Sequence, residues 1–470
     1  MFKEFLKENN LEEHPHQVDG VEWCLKKENE GVTFLQDEPI HGGIIADEMG
    51  LGKTIQLVGI MNSNKLLHTL IVLPKALLPQ WIQVIKKTLK QKPLIYHGIW
   101  KNKSTLDHLY SYRVVITTYG MIAMKNKKNT SLLHKVKWDR IIFDEAHHMR
   151  NNKTNIYQGA SHLKSKIKWL VTGTPIQNKR SDLYSLCALL RLPTLYFTSP
   201  ANLPNLCENF ILQRTKKSTG LTLPKLNIQT INIPWSNESE YNLSEDIHAS
   251  FKFSNISKEL EVIETPTCLL GECSLVALLR ARQICILPHL LRNKYEKYIK
   301  TEIIPPEEDN IIEAIQSSSK MDVVIKTILN RSKNRKAKII FCHYRGEIDY
   351  IKNILSVNGL NVESFDGRTN EKQRYAILTN KKLDALILQI QTGCEGLNLQ
   401  QFSEVYFISP HWNPAVEDQA IARCHRFGQK EDVEVFRFNM IGFEMDTITI
   451  DEYSSSIQQK KRILMAEINK

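Results

Sequence analysis

Residues 47–54, DEMGLGKT, place two glycines, a lysine and a threonine directly after the apolar run GGIIA and before the helical stretch IQLVGIMN. Glycines let backbone N–H groups approach phosphate oxygens, a lysine neutralises β/γ-phosphate charge, and a threonine hydroxyl reaches Mg²⁺, all at a helix N-terminus. Asp47, Glu48, Met49, Gly50, Leu51, Gly52, Lys53 and Thr54 are therefore candidates for holding a nucleotide, with Thr54 on the metal. The strict pattern GxxxxGK[ST] wants glycine where Asp47 stands, and a chance GKT in a turn would read the same way. Farther along, RIIFDEAHH ends a hydrophobic run with Asp144 and Glu145. A carboxylate at a strand tip can hold Mg²⁺, and its neighbour can orient and deprotonate an attacking water. An isolated acidic pair is usually a solvated strand end; sharing a lobe with a phosphate loop, it reads as a nucleotide-hydrolysis site. A third group, Gln419, Arg423 and Arg426, lies in WNPAVEDQAIARCHRFGQ at 412–429. Charge developing on a γ-phosphoryl group needs mobile positive charge, and bringing it from another lobe makes closure and hydrolysis one event. On a helix over 415–427 these three positions share one face, the bland alternative being a basic surface.

The elements that must position these groups follow from hydrophobic pattern. GGIIAD, TLIVLP, YRVVITTY, DRIIFDEAH and IKWLVTGT are short apolar runs bounded by turn residues, as buried parallel strands are. AKIIFCHY, LNVESFDG, LDALILQI, SEVYFISP and DVEVFRFN repeat the pattern, separated by helical segments such as 345–358. The fold class is α/β with two doubly wound lobes. Between them, helical stretches at 237–264 and 272–292 and the acidic IIPPEEDN predict a helical insertion and linker, giving domains at 1–195, 196–320 and 321–470.

Length and composition agree. The 470 residues suit two or three domains, and 42% hydrophobic with 24% charged residues excludes a mostly disordered or collagen-like chain. No apolar run approaches a membrane span, and MFKEFLKENN lacks a signal-peptide core, so an intracellular protein without membrane partners is expected. The nine scattered cysteines suggest reduced thiols. Net charge is +11, yet between Glu48 and Asp139 fifteen lysines and arginines meet a single acid, Asp107. Such a field attracts polyanions, nucleic acid first among them.

Taken in order, DEMGLGKT, DEAH, LVTGTPIQN at 170–178 and above all WNPAVEDQAIARCHRFGQ resemble the Swi/Snf-type ATPases of helicase superfamily two, from about residue 11 to 445. Few other families combine WNP with QAxxRxHRxGQ, and the shortness of the chain is similar to compact viral members. The resemblance implies two RecA-like lobes with helical insertions, ATP and Mg²⁺ as cofactors, and movement along double-stranded DNA that displaces or remodels bound protein, such as nucleosomes or transcription machinery. It implies that Gln17, in HPHQVDGVEW, reads adenine; that Lys53, Asp144 and Glu145 are catalytic; and that Arg423 and Arg426 are arginine fingers beside Gln419. It further implies that Thr172, Gly173 and Thr174 link ATP state to the nucleic-acid track. For the track it points to Lys75 in LPKALLPQW, Thr117 and Thr118 in ITTYGM, Thr172 and Thr174, Arg368 and Thr369 in FDGRT, and Thr392 and Asn398 in QTGCEGLNL. Amides and hydroxyls in such loops hold phosphates without reading bases.

Cys394 stands where the family has glycine, which could alter backbone approach there. Cys268, Cys273, Cys285 and His289 have zinc-ligand types, but RQICILP resembles a packed helical block of the family, so zinc is not expected. Trp81, Trp138, Trp169 and Trp412 read as core or hinge residues. The competing functions are a strand-separating RNA or DNA helicase and an ATP-binding transcription cofactor without hydrolysis. A DNA substrate implies a nuclear location.

Overall fold

The computed structural model describes every residue except 35–37, 125–129, 177–179, 250, 253–260, 263–273, 293–294, 297–308, 317, 381, 394–396, 444–446 and 469–470. The chain divides into two compact units, Met1–Leu223 and Pro224–Lys470, each built on one parallel sheet. In the first, β1 (His41–Ile45), β2 (Thr69–Leu73), β3 (Leu94–Tyr96), β4 (Val114–Thr118), β5 (Lys137–Asp144), β6 (Lys164–Val171) and β7 (Ile211–Leu212) lie in the order β3-β4-β2-β5-β6-β1-β7. Every residue of β2 and β4 is buried, as a sheet covered on both faces requires. Val18 and Val21 of the helix Pro15–Asn29, Leu57 and Val58 of Lys53–Ser63, and Trp81 and Ile85 of Leu78–Thr88 pack on Ile71, Ile116 and Trp169 of the sheet. Parallel order sends all strand ends to one edge, and the order β5-β6-β1 makes the loop after β1 a neighbour of those after β5 and β6, far later in the chain.

In the second unit β8 (Leu226–Ile233), β11 (Lys338–Cys342), β12 (Val362–Phe365), β13 (Ala385–Gln389), β14 (Glu404–Phe407) and β15 (Val433–Met440) form a sheet in the order β12-β13-β11-β14-β15-β8. A separate two-residue pair, β9 (Phe251–Lys252) and β10 (Glu261–Val262), is antiparallel. Ile339 and Phe341 pack into one core while Ile340 and Cys342 pack into another, so alternate residues of one strand feed both faces. The α/β class with two parallel-sheet lobes is therefore what the apolar runs predicted. Where the linker was expected, β8 instead pairs with β15 from Leu226–Val433 to Ile233–Met440. Its alternation of polar and apolar residues suits an edge strand exposed along most of its length. The helix expected over 237–264 stops at Ala249. Among the described residues no helix is long and apolar enough to cross a membrane.

A buried ion pair fastens the first sheet to its helices. Arg140 of β5, 1% exposed, donates from Nε to Glu28 Oε1 at 2.6 Å, and Trp169 Nε1 and Asn64 Nδ2 complete the shell of Glu28, 3% exposed. Arg140→Ala leaves a buried carboxylate short of its cation and is expected to destabilise this unit by about 3–5 kcal/mol. A thermal or urea melt that stays at the parental midpoint would show that water reaches Glu28 freely.

Candidate active site

The chain leaves β1 through Ala46 and turns at Gly50 (φ 96°) and Gly52 (φ 80°) before the helix Lys53–Ser63 begins. Both values lie in the left-handed region that glycine enters without strain, which is why a loop of this shape needs them. Leu51 is buried, and its carbonyl accepts from Gln17 Nε2 at 3.2 Å and contacts His16 Nε2 at 3.0 Å. Gln17 thus grips the loop from the helix Pro15–Asn29. Thr54 occupies the first turn of the loop's helix, half-buried. Lys53 Nζ folds back to the carbonyls of Asp47 (2.7 Å) and Glu48 (3.4 Å), occupying with its own charge the hollow that the loop encloses.

Asp47, the residue that departs from the strict motif, turns away from this hollow. Its carboxylate is fully buried and accepts from Arg214 Nε at 2.9 Å and Gln56 Nε2 at 3.0 Å. Arg214 also bonds the His16 carbonyl and Gln56 Oε1. Glu48 likewise faces the segment after β7, accepting from the Lys216 amide at 2.7 Å. The Asp47 and Glu48 side chains thus anchor the loop to the segment after β7, and the carboxylate that stands where the strict motif has glycine pairs with Arg214. Sequence reading missed Arg214 because nothing local marks it.

One strand beyond β6, Asp144 and Glu145 end β5. Asp144 Oδ2 accepts from Trp81 Nε1 at 2.7 Å, Oδ1 accepts from the Glu145 amide at 3.0 Å, and the Asp144 carbonyl accepts from Tyr119 Oη at 2.7 Å. Burial and the adjacent Glu145 charge hold the Asp144 carboxyl above the usual carboxylate range, while Trp81 and Lys53 pull it back. Trp81 is a core residue, as are Trp138 and Trp169, and it also has a polar task that the sequence did not disclose. Glu145 sits at φ 53°, ψ 50°, left-handed backbone that costs a non-glycine residue about 1–2 kcal/mol. Its Oε2 lies 3.4 Å from His147 Nδ1, which is 3.5 Å from Thr172 Oγ1.

β6 carries Thr172 to Thr174 between the two motifs. The Thr172 amide bonds the Ile45 carbonyl at 3.0 Å, and a side chain at Gly173 would meet Met49 Cγ at 2.7 Å. Phosphate loop, carboxylate pair and the TGT segment therefore form one packed site. A buried carboxyl at Asp144, a half-buried one at Glu145, a lysine and a threonine at a helix start are a donor set suited to Mg²⁺ and a polyphosphate.

Several track candidates take other roles. Thr117 is fully buried and donates to the Tyr96 carbonyl at 2.8 Å, Thr172 is buried, and Thr118, 5% exposed, faces His97 Nδ1 at 3.1 Å. Thr117 and Thr118 point to opposite faces of β4, and both are buried because that strand is covered on each side, whereas Thr172 lies beyond β6 with its hydroxyl beside His147. Thr174 is half-buried, its amide donating to Thr172 Oγ1 at 3.2 Å. Lys75 is exposed on the turn Lys75–Leu77, and Asn398 is exposed. Arg368 is held by Asp349 (2.8 and 3.0 Å) and Asp366 (2.9 Å), with Thr369 closing the same turn. The side chain of Thr392 and all of Cys394 lie outside the described residues, as do Cys268 and Cys273. Cys285 is buried, 3.7 Å from His248 Nε2.

In the second unit Asn413 caps the helix Pro414–Cys424, its side chain accepting from the Ala415 amide. Gln419 is buried on it and Arg423 stands in its last turn. The helix ends at Cys424, and His425 turns out to the Pro224 carbonyl at 2.8 Å. Arg426 consequently lies past the helix, and the single-face arrangement expected over 415–427 holds only for Gln419 and Arg423. Arg426 Nε is buried with no hydrogen-bond partner among the described residues. Burial, then the charge of Arg423, depress its guanidinium below the usual range.

The SNF2-related domain family matches residues 16–290 and the helicase conserved C-terminal domain matches 319–428. The chain is 27% identical over 472 residues to the probable global transactivator of Orgyia pseudotsugata multicapsid polyhedrosis virus, covering 95% of this chain and 89% of that protein. It is 26% identical to the DNA excision repair protein ERCC-6-like of Danio rerio (88% of this chain, 34% of that protein) and 26% to the chromatin remodeling factor mit1 of Schizosaccharomyces pombe (92% and 31%). The chain thus spans about a third of those two relatives. Among solved structures, the Sulfolobus solfataricus SWI2/SNF2 ATPase core in complex with dsDNA aligns with TM-score 0.41 and 23% identity over 97% of this chain and 96% of that one.

Proposed function

The chain belongs to the SNF2-related family of DNA-dependent ATPases, and we propose that it spends ATP to move along double-stranded DNA and so displaces or remodels protein bound there. The observation that carries the reading is the convergence of Lys53, at the helix start after β1, with Asp144 and Glu145 at the end of β5 in the same sheet. Lys53 leaves its loop carbonyls for the β/γ-phosphates, Gln17 holds the loop beside the base, and Thr54 and Asp144 hold Mg²⁺. Mg²⁺, when bound, neutralises charge on the transferred phosphoryl and its leaving group. Glu145 orients a water and takes its proton, and Arg423 and Arg426 bring positive charge to the γ-phosphoryl.

For the polymer, support comes from exposed Lys75, Lys86, Lys87, Lys90 and Lys92 within the acid-poor stretch, a field that draws backbone phosphates whatever the sequence. Transcription or genome maintenance is the proposed setting, in the nucleus, consistent with the names of the viral, repair and remodelling relatives. The test is phosphate release with no polymer, duplex DNA, single-stranded DNA or RNA. Duplex DNA is expected to stimulate strongly and to support displacement of a triplex-forming strand. Stimulation by RNA or single strands alone would replace this reading with a strand-separating helicase. ATP binding without turnover under every condition would leave the cofactor reading standing.

A further inference from the structure

The helix that carries Arg423 is held at its start by a second helix, Ile450–Ile468, through one continuous face. Asp451 fixes the near end of that second helix: it is buried, pairs with Lys320, and accepts from Ser409 Oγ at 2.7 Å and the Met440 amide at 3.0 Å. Seven residues on, Gln458 donates to the His411 carbonyl at 2.6 Å and to Glu417 Oε1 at 2.5 Å. Lys461 Nζ donates to the Trp412 carbonyl at 3.0 Å. Arg462 makes a forked pair with Asp418, at 2.7 and 2.9 Å. Spacings of three, four and seven place all of these on one side of a helix. Glu417 is also held by Arg437 Nε at 3.0 Å, and the Arg282 guanidinium lies 4.4 Å from the Trp412 ring centroid.

The contacts of Gln458, Lys461 and Arg462 fall on residues 411–418, ahead of the two arginines. An eleven-residue helix is a rigid lever, so a shift at its first turn is delivered to its last. We propose that Gln458, Lys461 and Arg462 are positioning residues for hydrolysis: the C-terminal helix sets where Arg423 and Arg426 stand, and any partner or modification that lifts this face lowers turnover without touching the nucleotide site. This rests on the reading of the two arginines as γ-phosphate ligands.

Asp418 and Arg462 are the pair to test, being partly exposed, so that their exchange disturbs little packing. Arg462→Asp and Asp418→Arg singly are expected to lower duplex-stimulated kcat by about 10- to 100-fold, the scale of an ångström-sized misplacement of a catalytic group. KM for ATP and Tm should hold, and the double exchange should recover most of the kcat. Arg462→Ala is the milder variant should a charge reversal fail to fold. Arg426→Ala runs alongside. If it abolishes turnover while the Arg462 variants keep parental kcat, the positioning role is overturned and the finger role survives. If kcat and Tm fall together and the exchange recovers neither, the helix is only structural. If Arg426→Ala leaves turnover intact, the finger reading itself fails and takes this inference with it.

Discussion

Arg426→Ala is expected to bind ATP and to hydrolyse it about 10³- to 10⁵-fold more slowly, the range that an arginine at a γ-phosphoryl group supplies. The expectation rests on an imbalance. Arg426 has a buried Nε without a hydrogen-bond partner among the described residues, and the nearby charge of Arg423 works against its own. An unsatisfied buried donor costs about 1–3 kcal/mol, more for a charged group, and an anionic ligand on Arg426 would remove that cost. ATP would supply that ligand only as charge builds on the transferred group, so the loss belongs in kcat rather than KM. Arg426→Lys should recover little, since an ammonium cannot reproduce the planar fork of donors. Single-turnover phosphate release separates chemistry from product release. Near-parental rates in the alanine variant would return Arg426 to the status of a basic surface group.

What could be seen in advance divides along a physical line. β2, β4, β11 and β13 were legible because a strand buried on both faces is apolar along most of its length. β8 was not, since an edge strand pairing on one side with β15 has no such demand, and LNIQTINI reads as linker. The phosphate loop was legible because its glycines, lysine and threonine answer to local geometry, φ values and a helix start. The meaning of Asp47 was not, because its partner Arg214 lies 167 residues away and no local pattern pairs them. The same holds for Trp81 and Asp144, 63 residues apart, where an apparent core tryptophan orients a metal-binding candidate. The helix end at Cys424 was missed because His425 is turned by a carbonyl, Pro224 O, 201 residues earlier. Local chemistry was readable, and the contacts that aim it were not.

Glu145→Gln is the second large effect, an expected fall in kcat of about 10²- to 10⁴-fold, the usual contribution of a positioned general base. Glutamine keeps the shape and can still accept a hydrogen bond from a water, but it cannot take the proton. ATP affinity should therefore persist, and binding measured by a fluorescent analogue should separate from turnover. The backbone supplies an independent reason to single out this residue. A non-glycine side chain in left-handed conformation is tolerated only where surroundings over-determine it, and here the Asp144 side chain bonds the Glu145 amide while Tyr119 fixes the Asp144 carbonyl. That turn points the carboxylate toward His147 and the TGT segment rather than along the strand. A strained turn serves no packing purpose if the carboxylate is idle. Glu145→Gly, which removes both strain and carboxylate, should melt no lower than the parent by loss of strain alone and should be as inactive as glutamine. Turnover retained in Glu145→Gln would move the role of base to another group and leave the strain unexplained.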